Sequence, residues 1–90
     1  MKQEHNASGT WNDDWREELK SEDYDAWIRL ADCTNRRSDI KKYAKLIYKY
    51  NPTKSKEECL DRSIEWITDW NNQPHLCPDT EEYNKIIDSM

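Results

Sequence analysis

Cys33, Cys59, His75 and Cys77 have the side chains best suited to hold a soft metal ion, and together they would make a Cys3His zinc set. Structural zinc ligands normally arrive as tight pairs, because one turn then presents two donors to a tetrahedral ion. Here only His75 and Cys77 are close, and there is no C-x-x-C. Cys33 and Cys59 are therefore expected to fill space as small apolar residues, with Leu76-Cys77-Pro78 anchoring the last loop.

Nucleophilic catalysis asks for a Cys or Ser beside a positioned base. His75 stands beside Pro74 and near Cys77, with nothing evident to orient it, and His5 lies in an unpatterned stretch. The carboxylate pairs Asp13-Asp14 and Glu17-Glu18 fall where a helix begins, a place for caps rather than for acid–base work. Gly9 is the only glycine, which excludes Gly-rich phosphate loops. The chain therefore reads as a non-enzyme, with no metal, cofactor or small-molecule substrate expected.

The elements that must position these residues belong to one small domain. Of 90 residues only 34% are hydrophobic, and Val and Phe are absent. Five Trp and five Tyr offset this thin apolar content, since each buries about 150–250 Å². No apolar run reaches the roughly 18 residues of a membrane span. Met1–Thr10 is polar and lacks the apolar core of a secretory signal. With an odd cysteine count, the expected compartment is the reducing cytoplasm, and the Asn6-Ala7-Ser8 sequon is read as accidental.

Residues 1–9 show no periodicity and read as a disordered arm; residues 10–90 read as an all-α bundle of four to five short helices. Trp11, Trp15 and Leu19 mark a first helix, capped by Thr10 or Asn12. Tyr24, Trp27, Ile28 and Ala31 mark a second over about 22–33, capped by Ser21. Ile40, Tyr43, Ala44 and Ile47 mark a third over about 39–50, capped by Ser38 and ended by Asn51-Pro52. A fourth opens with the capping box Ser55-Lys56-Glu57-Glu58, carries Leu60, Ile64 and Ile67, and runs to Trp70. A fifth spans Thr80 to Asp88, opened by Pro78 and Asp79, with Glu82 completing a second capping box.

Charge is laid down in blocks. Residues 1–28 carry net −5, residues 29–56 net +7 and residues 57–90 net −7. Lys42, Lys45 and Lys49 fall roughly 140–200° from Ile40 at about 100° per residue, opposite the apolar stripe. Glu58, Glu65 and Asp69 fall opposite Leu60 and Ile64 on the fourth helix. An ion-pair ladder between these two rows is not expected. The molecule should instead be dipolar, with one basic and one acidic face.

Two functions follow. In the leading one, a protein partner is regulated or inhibited through acidic and aromatic surfaces, with Trp11, Trp15, Glu58, Glu65, Asp69 and Trp70 as candidate contacts. Trp27 and Trp66 are assigned to the core, and Trp70 to a half-exposed last turn. Acids along the fourth helix could also imitate a phosphate row, making the chain a DNA mimic. In the alternative, a helix-turn-helix-like segment binds nucleic acid through Arg36, Arg37, Lys41, Lys42, Lys45 and Lys49. Against it, the turn lacks Gly and the total charge is negative. The style of the chain, small and rich in Lys, Asn, Asp and Tyr, suggests an accessory protein of the kind phages and mobile elements carry, although no motif carries that suggestion.

Overall fold

The computed structural model describes residues 11–90. Thr10 as a cap and the arm over 1–9 lie outside the described residues. The architecture is all-α: α1 (Trp15–Glu22), α2 (Tyr24–Asp32), α3 (Arg37–Tyr50), α4 (Lys56–Glu65) and α5 (Thr80–Ser89). A π-turn (Trp66–Trp70) continues α4, and a short 3-10 turn (Pro74–Leu76) precedes α5. No strand occurs among the described residues.

The central element is α3, which buries Ile40, Tyr43, Ala44 and Ile47 completely and packs most extensively on α4 and next on α1. Trp15 and Leu19 close one side of this core, Cys59, Leu60 and Ile67 another, and Leu76 and Ile86 join from the C-terminal segment. Trp15 has no exposed surface. Its ring lies 5.5 Å from Tyr43 and meets Trp66 edge-on at 5.9 Å. Large aromatic rings thus do the packing that the missing Val and Phe would otherwise share.

Helix starts differ from the sequence reading where an aspartate outcompetes a serine. Ser21 lies inside α1, and Asp23 caps α2 by accepting from the Ala26 amide. Ser38 lies inside α3, whose cap position is Arg36; the buried Asp39 carboxylate accepts the Arg36 amide. The first helix begins at Trp15, not near Trp11, because the Asn12 amide and carbonyl are held by the Asn51 side chain. Ser55 and Glu58 do form the expected capping box. Asp79 caps α5 by accepting from the Glu82 amide, but the Glu82 carboxylate faces Arg37 rather than the cap.

A buried amide network ties the α2–α3 turn to the end of the π-turn. The Asn35 side-chain amide donates to Asn71 Oδ1 (2.6 Å) and to Gln73 Oε1 (2.8 Å). The Tyr43 hydroxyl donates to Asn35 Oδ1 (2.7 Å). Asn71 Nδ2 donates to Cys33 Sγ (3.3 Å), at a residue in the left-handed conformation that ends α2.

Candidate protein-interaction surface

The cysteines do not converge. Cys59 is buried in the core, and Cys33 and Cys77 are exposed. No group of three His, Cys, Asp or Glu side chains suited to a metal occurs among the described residues. Cys59 fills space in the apolar core as read, where burial pushes its thiol up to about 11, whereas Cys33, read the same way, is exposed at the end of α2 and is corrected. Leu76 is the anchor of its loop, as read, while Cys77 faces solvent.

The basic helix is more compensated than its sequence suggests. Lys42 pairs with Asp23, Lys49 with Glu18 (2.8 Å) and Arg37 with Glu82 (3.3 Å). The Lys49 ammonium, with help from the Tyr50 hydroxyl, holds the Glu18 carboxyl below the usual range. Lys42 and the Ala26 amide do the same for Asp23. The dipolar expectation is corrected to this extent: α1 and the α2 cap fold against α3 and place acids beside two of its lysines. No ion pair joins α3 to α4 among the described residues. Arg36, Lys41 and Lys45 remain exposed. Between α1 and α3 lies an open cleft of about 280 Å³ with Leu19 and Leu46 in its lining, just under the roughly 300 Å³ at which ligand pockets begin.

The acidic and aromatic candidates gather on α4 and the π-turn. Glu58 and Glu65 are seven residues apart, two helical turns, so they share one stripe. Asp61 extends that stripe, and Asp69 lies four residues beyond Glu65. The Ser55 amide holds the Glu58 carboxyl below its ordinary value, so it stays charged.

At Trp66 the helix widens, and the Asn71 amide reaches back five residues to the Trp66 carbonyl (2.9 Å). The Thr68 hydroxyl also bonds the Ile64 carbonyl (2.8 Å), a contact that bends helices. A π-turn takes one more residue to close than an α-turn. It sets Trp70 back toward the acidic stripe by something under the roughly 100° of one residue.

Trp70 is 48% exposed and meets Trp66 edge-on at 4.2 Å. The Arg62 guanidinium lies between two rings, 5.1 Å from Trp70 and 4.9 Å from Trp11, and bonds Asp13 (2.8 Å). Arg16 covers Trp66 at 5.3 Å. Arg62 Nε and Trp66 Nε1 are buried with no hydrogen-bond partner among the described residues.

Trp11, half-buried, and Trp70 thus share the Arg62 guanidinium, and Trp70 directly follows Asp69 at the end of the stretch that carries Glu65. Trp15 does not; it is wholly buried and serves the core. Trp66, assigned to the core from sequence, is half-buried and supports Trp70. Sequence reasoning missed Arg62, although a signal was present: it is one of only two bases among nine acids in residues 57–90. The stripe read for the second helix is corrected: Ala26 and Leu30 are its buried residues, while Trp27, assigned to the core, is half-buried and stacks at 5.7 Å on Tyr24, which is 55% exposed.

No helix among the described residues is long and apolar enough to cross a membrane. No protein-family model, curated protein or solved structure matches the chain.

Proposed function

We propose that this chain is a non-enzymatic binding protein that regulates or inhibits another protein, engaged through the acidic and aromatic face of α4 and the π-turn. The observation that carries this reading is Trp70, 48% exposed in a chain where only 34% of residues are hydrophobic. A sequence so short of apolar surface leaves one of its largest rings in water. Tryptophan is among the residues most enriched at binding hot spots. Trp66 and Arg62 hold the ring from within, so little side-chain freedom remains to be lost on binding. Glu65 and Asp69 provide the polar rim such an anchor requires.

Affinity capture in mild salt tests this, comparing the wild-type chain with Trp70→Ala and Tyr24→Ala, each checked for helicity. The expected result is a protein retained by wild type and Tyr24→Ala and lost by Trp70→Ala. Retention of no protein by wild type, or equal retention by Trp70→Ala, removes the reading.

One observation favours nucleic-acid binding as a second reading: Arg36, Lys41 and Lys45 are exposed and form no ion pair among the described residues. Three phosphate contacts would give a salt slope of about −3. Fluorescence anisotropy with duplex DNA and single-stranded RNA tests this second reading. If Lys41→Ala with Lys45→Ala binds as well as wild type, the reading fails.

A further inference from the structure

We infer that the partner presents a lysine- or arginine-rich segment, one cation of which seats on the exposed part of the Trp70 ring while its neighbours face Asp61, Glu65 and Asp69. This rests on the protein-binding reading above and adds the chemistry of the partner.

Residues 57–90 hold nine acids and two bases. Both bases are engaged within the chain, Arg62 by Asp13 and Lys85 by Glu81. Asp61, Glu65 and Asp69 form no ion pair among the described residues. The three carboxylates thus lack an ion-pair partner, although the Tyr83 hydroxyl donates to Asp61 (2.9 Å) and Arg62 and Arg16 lie over Trp70 and Trp66. Complementary charge steers encounter and suppresses wrong partners.

Trp70 already holds the Arg62 guanidinium at 5.1 Å and meets Trp66 at 4.2 Å, so a partner's cation would meet only the part of the ring left exposed. The electron-rich face of an indole is the best aromatic seat for a cation.

The other common occupant of such a surface does not fit here. An amphipathic helix docks through several apolar anchors at i, i+3, i+4 and i+7 and needs a matching apolar groove. Among the described residues, the large apolar side chains that stand exposed are Trp70 and Tyr24, and Tyr24 belongs to α2. Trp70, with the half-buried Trp11 and Trp66 parted from solvent by the Arg62 and Arg16 guanidiniums, does not make such a groove. Nucleic acid is repelled by the same acids.

The test is a nuclear magnetic resonance titration of the isotope-labelled chain with a short peptide alternating Lys and Ser, and separately with its Glu–Ser counterpart. The basic peptide is expected to shift the Trp70 indole signal and the amides from Asp61 to Asn71, less so at about 0.15 M salt, where screening reaches about 8 Å. The acidic peptide should shift neither. Glu65→Gln with Asp69→Asn should weaken binding by up to about tenfold, and Trp70→Ala by about threefold, while Tyr24→Ala leaves it unchanged. Should Trp70→Ala fail to fold, the carboxamide variant still decides. Shifts centred elsewhere, equal shifts from the acidic peptide, or no response to the basic one overturn the inference. If capture through Trp70 succeeds with a partner that has no basic segment, the protein-binding reading stands and this inference falls.

Discussion

Arg29 and Asp39 form a two-pronged ion pair between α2 and α3, Nε to Oδ2 and Nη2 to Oδ1, both at 2.8 Å. The carboxylate is fully buried and also accepts the Arg36 amide at 2.9 Å. One side chain therefore both starts the central helix and fastens it to the preceding one. The pair is geometrically selective, since a planar guanidinium fork matches a carboxylate in only a few orientations.

Asp39→Ala is expected to cost about 3 kcal/mol, because it strands a largely buried guanidinium and uncaps α3 together. Asp39→Asn keeps an acceptor for the Arg36 amide and should fall between alanine and wild type. Urea unfolding of the three chains checks the order. A loss below about 1 kcal/mol for alanine, the range of a surface pair, would contradict this account.

Acid should weaken the fold through carboxylates held low in the native state. Glu18 beside Lys49, Asp23 beside Lys42 and Glu58 at the Ser55 amide all lie below their ordinary values. A depressed carboxylate contributes stability above the unfolded-state value of about 4, and that contribution disappears as pH falls through the folded-state value. Thermal midpoints should therefore hold steady from neutrality to about pH 5 and decline below about pH 4. Glu18→Gln combined with Asp23→Asn should flatten that decline. An unchanged acid limb would show that these two pairs contribute nothing measurable.

The three cysteines should separate by reactivity. Cys33 and Cys77 are exposed, and Cys59 is buried with its thiol pushed up to about 11. Only the thiolate reacts quickly. A thiol-specific reagent at neutral pH should therefore modify two sites in the folded chain, and the third only in denaturant. Fast modification of Cys59 in the folded chain would place it outside the core.

The sequence carried much of this fold because helical periodicity and local caps depend on near neighbours. The Ile40, Tyr43, Ala44, Ile47 stripe and the Ser55–Glu58 box are visible in a few residues each, and both occur as read. What was not legible depends on distant partners. Asp23 and Ser21 are both competent caps, and packing of α1 on α2 decides between them. Lys42 and Lys49 read as free because Asp23 and Glu18 reach them only after α1 folds back on α3. The candidate surface was half legible for the same reason. Glu65, Asp69 and Trp70 follow from helical spacing, whereas the Trp11–Arg62–Trp70 arrangement needs the N-terminal segment to cross α4.

The π-turn is the least legible element, and a last prediction follows from its cause. Trp66 and Trp70 are four residues apart, so their spacing reads as ordinary α-helix. The turn widens where Asn71 enters the buried amide network, accepting from Asn35 at 2.6 Å and donating to Cys33 Sγ at 3.3 Å. Continued α-helix would carry Asn71 about 100° around the axis and away from these partners. Asn71→Ala removes that hold and should cost about 1 kcal/mol, because the Asn35 amide loses Asn71 Oδ1 but keeps Gln73 Oε1. It should also let the last turn relax toward α geometry and swing Trp70 away from Glu65 and Asp69. Fluorotryptophan labelling reads this directly: the Trp70 resonance should move in Asn71→Ala while that of the buried Trp15 stays in place. If both resonances hold still, the amide network does not set the position of Trp70, and the π-turn must be maintained by the Trp66–Trp70 contact itself.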